Sequence, residues 1–149
     1  MRAPIQVLVL PYLWEGDEPA YLILKVNDGD YWQFVAGGGE DGETPTEAAR
    51  RECREETGLE GDLFQLDSQA TIPKHHFRDS SSWGEEILVI PEYAFALKAS
   101  KREIQLSREH KNFRWVAYQE GIQMLKWDSN RNALWELDQR LIALKGSQA

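Results

Sequence analysis

The apolar and polar positions divide the chain into a strand-rich first third, a short helix, more strands and a helical end. Residues 5–13 (IQVLVLPYL) are β-branched and aliphatic almost without interruption, which predicts a buried strand. The cluster EGDEP at 15–19 is a turn, and the apolar pattern resumes at 20–26 as a second strand. After a further turn, NDGD at 27–30, the segment 31–36 (YWQFVA) leads into a run of glycines. Beyond the first helix, residues 63–72 alternate loosely and read as strand. Residues 73–84 (PKHHFRDSSSWG) are polar and turn-rich, and predict a loop beside a site or a mobile hairpin tip. His75, His76 and Arg78 in it are either solvated or phosphate contacts from a lid. On extended backbone the two histidines point apart and cannot both face one metal. Residues 86–97 read as strand, with Pro91 implying an edge or a bulge. A short strand at 112–117 and a short helix at 119–126 follow. A longer helix at 129–144 has Leu134, Leu137, Leu141 and Leu144 at helical spacing, and 143–149 are expected to fray. The order predicts an α/β protein, a sheet covered by helices on both faces.

The stretch 37–59, GGGEDGETPTEAARRECREETGL, carries the chemistry. Thr44 and Glu47 are spaced for a capping box, Pro45 for the first helical position, and Gly58 for the left-handed residue that ends the helix, with Leu59 making the apolar contact after it. At ~100° per residue, Glu52, Glu55 and Glu56 fall within an arc of roughly 100°. Ala48 and Ala49 flank that arc and let the helix sit close to its neighbour, while Arg50 and Arg54 point elsewhere. Three like charges so placed repel, so something positive should lie between them. A hard cation with oxygen ligands, Mg²⁺ or Mn²⁺, suits them, and the lack of His or a second Cys in the stretch argues against zinc. Taken alone, a glutamate-rich helix face is also what a solvated surface looks like. Gly37, Gly39 and Gly42 satisfy a dinucleotide-binding fingerprint too, but Glu40 and Asp41 would face the pyrophosphate and the helix begins only after Gly42. The glycines instead suit positive φ and close approach of the backbone to metal and phosphate.

Gly37, Glu43, Arg51, Glu52, Glu55, Glu56, Gly58 and Leu59 stand at the spacing of the Nudix box, with Cys53 where an aliphatic residue is usual. The chain resembles a Nudix hydrolase. That resemblance implies a single Nudix domain over 1–149, an α/β/α sandwich on a mixed sheet, and divalent-metal hydrolysis of phosphoric anhydrides. Glu52, Glu55 and Glu56 would hold the metal, one of them or Glu109 would act as the base, and Arg51 would orient a box glutamate, Glu43 or Glu52. Glu55, Glu56, Glu109 and Arg51 are the catalytic candidates. Glu109 comes from SREHKNFRW at 107–115, which is similar to a stretch in several Nudix subfamilies; a plain capping or surface role is its alternative, and His110 reads as structural. Together with the Trp32-Gln33 pair and WDSNRNAL at 127–134, it makes the chain look most like the branch containing dihydroneopterin triphosphate and dATP pyrophosphatases, with diadenosine polyphosphate hydrolases close behind. Gly37, Gly38, Gly39, Lys25, Trp32 and Trp127 are the substrate-binding candidates. Each tryptophan could stack on a base or pterin, or be buried for packing. A non-catalytic binding module would show eroded carboxylates, and a prenyl-diphosphate isomerase would need its cysteine in a pocket rather than on the packed side of a helix.

Composition narrows the partners. A formal charge of −8 leaves no basic stripe for nucleic acid and means that an anionic substrate would need local cations. The lone Cys53 cannot form an intrachain disulfide, and neither a membrane span nor a signal peptide is legible. A cytoplasmic protein, monomer or homodimer, acting on a small nucleotide or pterin triphosphate is the expectation.

Overall fold

A computed structural model describes residues 1–78 and 80–147. In chain order the elements are β1 (Arg2–Glu15), β2 (Glu18–Val26), β3 (Trp32–Gln33), β4 (Val35–Glu40), α1 (Pro45–Thr57), β5 (Gly61–Pro73), β6 (Val89–Ala99), β7 (His110–Val116), α2 (Tyr118–Met124) and α3 (Asp128–Ser147). The sheet is mixed, in the order β3-β2-β1-β6-β5, with β4 on β1 and β7 on β2. β1 runs parallel to β6 over residues 6–12. Its other edge is shared, pairing with β4 from Arg2 to Val9 and with β2 from Tyr12 to Glu15. Pro11 falls in the gap between those two partners, where a missing N–H is tolerated.

Both faces of the sheet are covered, which is why β1 reads as an unbroken apolar run rather than an alternation. Val7, Val9, Leu22, Leu24, Val35, Phe95 and Leu97 pack under α1, against Ala48, Ala49, Cys53 and Leu59. Leu8, Leu10, Tyr12, Tyr21, Ile23, Phe34, Ala94 and Ala96 pack on the other side, against Ala133, Leu134, Leu137 and Leu141 of α3. The α/β/α layering expected from the order of elements is the layering observed.

Several expectations are corrected. The positive φ expected of the glycine run is absent from its start: Gly37, Gly38 and Gly39 lie in β4, paired to β1, and of the glycines in 37–59 only Gly42 (φ 85°) and Gly58 (φ 76°) have positive φ. The segment 31–36 is not one strand. It breaks at Phe34, whose N–H donates to Asn130 Oδ1 at 2.8 Å instead of to a neighbouring strand. β6 starts at Val89, after Gly84 (φ 89°) and the turn that follows it. Pro91 precedes the β1 pairing, which begins at Glu92, so no ladder bond on that side is lost. The bulge is in β5, between Gln65 and Gln69, where Glu136 accepts from the N–H groups of Asp67 and Ser68.

The loop 73–84 is folded into two 3-10 turns, Lys74–His76 and Ser80–Trp83. Trp83 is buried and its Nε1 donates to the Arg2 carbonyl at 2.9 Å. His75 and His76 stack with ring centroids 4.4 Å apart, because the turn removes the extended backbone that would have separated them. At the chain's end α3 stays helical through Ser147, with Lys145 paired to Asp17 at 3.2 Å, so the fraying expected from 143 does not begin there; Gln148 and Ala149 lie outside the described residues. Leu144, placed on the apolar stripe by its spacing, is 48% exposed, as residues 142–146 all are. Among the described residues no helix is long and apolar enough to cross a membrane.

Candidate active site

The α1 helix forms where its caps dictate. Glu47 N–H donates to Thr44 Oγ1 at 3.1 Å and Thr44 N–H to the Glu47 carboxylate at 2.9 Å, closing the box, and Gly58 N–H ends the helix on the Arg54 carbonyl. Ala48, Ala49 and Cys53 are fully buried, which fixes the helix's rotation and turns the glutamates toward β4 and β7. Burial pushes the Cys53 thiol up to about 11, leaving it a packing group.

Arg51 supplies the positive charge that the carboxylate spacing demanded. Its Nε and Nη2 form a fork on Glu43 at 2.7 and 3.0 Å, and Nη2 also reaches the Gly38 carbonyl at 2.9 Å. Its Nη1 is shared between Glu52 at 3.0 Å and Glu55 at 3.2 Å. Both glutamates named as its partners are therefore held at once. The fork keeps the Glu43 carboxyl below its usual range. Glu52 behaves differently: burial drives it up to about 7, and the nearby charges of Glu56 and Glu55 add to that. Arg51 opposes the rise without cancelling it, since its one charge serves three carboxylates.

Glu56 belongs to a second group. Its backbone carbonyl receives the Ser107 N–H at 3.2 Å, and the Gln105 N–H reaches the Thr57 carbonyl at 2.9 Å, pinning the chain before β7 along the end of α1. Ser107 Oγ then donates to Glu56 Oε2 at 2.8 Å, and His110 Nδ1 lies 2.8 Å from the same oxygen. Burial would raise the Glu56 carboxyl, but the His110 ring and the Ser107 hydroxyl outweigh it and hold it low. Glu109 sits beside it with the opposite shift, raised by its hydrogen bond to Glu56 and by burial. The residue singled out more than fifty positions downstream is thus brought to the acidic helix. Ser107, to which sequence assigns no role, is found only because the fold brings it there.

β4 divides this acidic face from a second region. Gly37 faces α1: a Cβ there would stand 2.1 Å from the Glu52 carboxyl carbon. Gly38 faces the other way, where a Cβ would meet the Arg2 guanidinium at 2.3 Å. Met1, Arg2, Gly38, Gly39, Glu40 and Glu52 line a cleft of about 320 Å³. Arg2 Nη2 donates to Gln6 Oε1 at 2.7 Å and its guanidinium lies 4.6 Å from the centroid of the Phe77 ring. Gln6 and Phe77 line a larger cleft of about 590 Å³, walled by Tyr31 and Trp127, with Glu92, Ala36 and Asn130 also on its surface. Arg2 therefore lines one cleft and contacts two residues of the other, a position the sequence does not signal.

The other substrate candidates fare unequally. Trp127 lines the larger cleft, 39% exposed, its Nε1 donating to Gln33 Oε1 at 3.1 Å and its ring edge-on to Tyr31 at 5.5 Å. Trp32 does not line it; it packs against the core on the α3 side, with Lys25 Nζ 5.7 Å from its ring centroid. Lys25 is itself paired with Asp30 at 3.3 Å. His76, in the turn, reaches the cleft.

The donor set fits a hard divalent cation: carboxylate oxygens on one helix face, with Gly37 leaving room beside Glu52. Among the described residues no three acidic, His or Cys side chains already converge on one point, because Arg51 draws Glu52 and Glu55 together while Ser107 and His110 hold Glu56.

The family model for the NUDIX domain matches residues 5–136. A dihydroneopterin triphosphate diphosphatase of Haemophilus influenzae is 31% identical over 133 residues, 85% of this chain and 83% of that protein. The asymmetrical bis(5'-nucleosyl)-tetraphosphatase of Mus musculus is 32% identical over 118 residues, 78% of this chain and 76% of that one. A solved structure described as a NUDIX hydrolase of Listeria monocytogenes superposes with a TM-score of 0.85 at 42% identity, covering 96% of this chain and 97% of the other. In a longer Myxococcus xanthus relative named octanoyltransferase, the match is 31% over 124 residues and spans 32% of that protein's length.

Proposed function

Because the chain belongs to the Nudix family, whose members hydrolyse phosphoric anhydrides, we propose that it cleaves a nucleoside or pterin triphosphate to the monophosphate and pyrophosphate. The observation that carries this reading is the position of Arg2, which lines one cleft with Gly38 and the box carboxylate Glu52 and contacts Gln6 and Phe77 of the other, aromatic-walled one. A ring bound between Tyr31, Trp127 and Phe77 would send its phosphates past Arg2 and around the bare glycines of β4 to the acidic face. Glu52, Glu55 and Glu56 would hold Mg²⁺, or Mn²⁺ in its place, which supplies charge neutralisation on the phosphate oxygens and acidifies water. Arg51 and Glu43 keep Glu52 and Glu55 aligned. Ser107 and His110 orient Glu56 with its charge intact, and Glu109, beside it, takes the proton from the attacking water. Residues 1–149 would act as one catalytic domain on a small-molecule substrate.

The H. influenzae relative supports a dihydroneopterin triphosphate-type substrate, and dATP is a second candidate of the same chemistry. The mouse relative supports the rival reading, a dinucleoside polyphosphate hydrolase. The test is a panel with Mg²⁺ containing dihydroneopterin triphosphate, dATP, GTP, diadenosine tetraphosphate and ADP-ribose, with both products identified. Pyrophosphate and a monophosphate from a triphosphate are expected. Turnover of the tetraphosphate alone would replace this reading with its rival.

A further inference from the structure

We infer that Glu92 and Gln6 together select the ring, admitting the amide-and-amino edge of a guanine- or pterin-type ring and rejecting adenine. This rests on the reading of the larger cleft as the ring site. Glu92 is 6% exposed and lines that cleft. It is the cross-strand neighbour of Gln6, since β1 and β6 run parallel with Gln6 opposite Glu92. Their side chains fall on the same face of the sheet as Leu8 and Ala94, the face that carries α3.

The two residues make a donor–acceptor pattern. Arg2 donates to Gln6 Oε1 at 2.7 Å, which fixes the amide so that its Nε2 hydrogens are the donors offered to a ligand. An ionised Glu92 is acceptor-only. Gln6 would donate to the ring carbonyl, and Glu92 would accept from the adjacent ring N–H and from the exocyclic amino group. Guanine and pterin both present carbonyl, N–H and amino group in that order. Adenine presents an amino donor where Gln6 also donates and a bare ring nitrogen where Glu92 can only accept. It mismatches at both positions.

A buried acid that served packing alone would be expected to have its carboxylate closed off by protein donors. Among the described residues Ser129 is the one side-chain donor that lowers the Glu92 carboxyl, and burial still leaves it raised. Two ligand N–H groups would supply what burial withholds. The aromatic walls bind any flat ring, so they add affinity without choosing between rings. The choice falls to the polar pair.

Equilibrium binding of GMP, IMP, AMP, guanosine and neopterin to the full chain, without metal, reads ring preference independently of hydrolysis. Wild type should bind GMP ~10–100-fold more tightly than AMP, with IMP, which lacks the amino group, between them. Glu92→Gln turns one acceptor into a donor that matches the ring nitrogen of adenine, and should move the GMP-to-AMP ratio toward AMP by a similar factor. Neopterin measured against guanosine, both without phosphate, separates the two ring sources: tighter binding of neopterin assigns a pterin, tighter binding of guanosine a purine. Equal wild-type affinity for GMP and AMP would overturn the inference, as would an unchanged ratio in Glu92→Gln. Because the wild-type GMP, IMP and AMP series needs no variant, a misfolded Glu92→Gln would not rescue it. If GMP is preferred but no triphosphate is cleaved, the ring assignment stands and the proposed reaction falls.

Discussion

The two sides of β4 are built on opposite plans. On the α1 side charged groups crowd together and hold one another: Arg51 serves Glu43, Glu52 and Glu55, while Ser107 and His110 serve Glu56. On the α3 side the cleft has aromatic walls and a small number of buried polar groups, Gln6, Glu92 and Asn130. The first plan suits charge development during a reaction, since preorganised groups cost no reorganisation when the barrier is crossed. The second suits recognition, where a flat surface gives affinity and few polar atoms give choice. Damage on the α1 side should therefore appear in kcat, and damage on the α3 side in KM.

The largest effect is expected at Glu56. Glu56→Gln keeps the size of the side chain and a hydrogen-bond acceptor for Ser107, but removes the charge that His110 and Ser107 hold in place. With Mg²⁺, kcat should fall by ~10²–10⁴-fold while ring binding, measured with a monophosphate, stays within about threefold. A fall in binding as large as the fall in kcat would break the division between the two sides.

That division also explains what could be read from sequence. The acidic face was legible because 37–59 is contiguous, and helical geometry converts spacing directly into position. The capping box, the buried alanines and the inert Cys53 follow from local rules, while the Arg51 link to Glu43 or Glu52 comes from the resemblance to the Nudix box. What was misread there, positive φ along the whole glycine run, failed because β4 is held by β1 through Gln6, Val7, Leu8 and Val9, a pairing that no local signal announces. The cleft draws on β1, β3, β4, β5, β6, the 3-10 turn Lys74–His76 and the start of α3, so no spacing links its members. Trp127 could be nominated by its neighbourhood, but Arg2, Gln6 and Glu92 could not. Trp32 went the other way. A two-residue strand on β2 leaves its ring against the core, and sequence does not reveal which of two nearby tryptophans faces out.

A smaller effect should come from the recognition side. In Trp127→Ala the cleft loses one aromatic wall, the partner of Tyr31, and the group that fixes Gln33. Stacking of a base on an aromatic ring is worth ~1–3 kcal/mol, so KM should rise by roughly 5–150-fold with kcat within about threefold. Since the ring is 39% exposed, thermal stability should move little. A kcat loss matching the KM change would mean that Trp127 also positions the phosphates, and the two plans would no longer be separable.

The smallest effect tests the electrostatics of the acidic side with no substrate present. Glu52 is raised from an ordinary 4.5 to about 7 in the folded protein, chiefly by burial. The unfolded chain then releases this proton at lower pH than the folded one does. The contribution to stability is full below about pH 4.5 and is lost as pH rises through about 7. Glu52→Gln carries no such loss. Unfolding by denaturant, without metal, should find the variant gaining on wild type between pH 5 and pH 8 by about 1–2 kcal/mol, after allowance for solvent screening. Adding Mg²⁺ at pH 8 should shrink that gain, because a cation held by the ionised carboxylate stabilises wild type more than the variant. A gain that Mg²⁺ leaves untouched would place Glu52 outside the metal site and give its burial a purely structural meaning. The acidic side would then keep its hydrogen-bond order while losing one of the three carboxylates assigned to the cation.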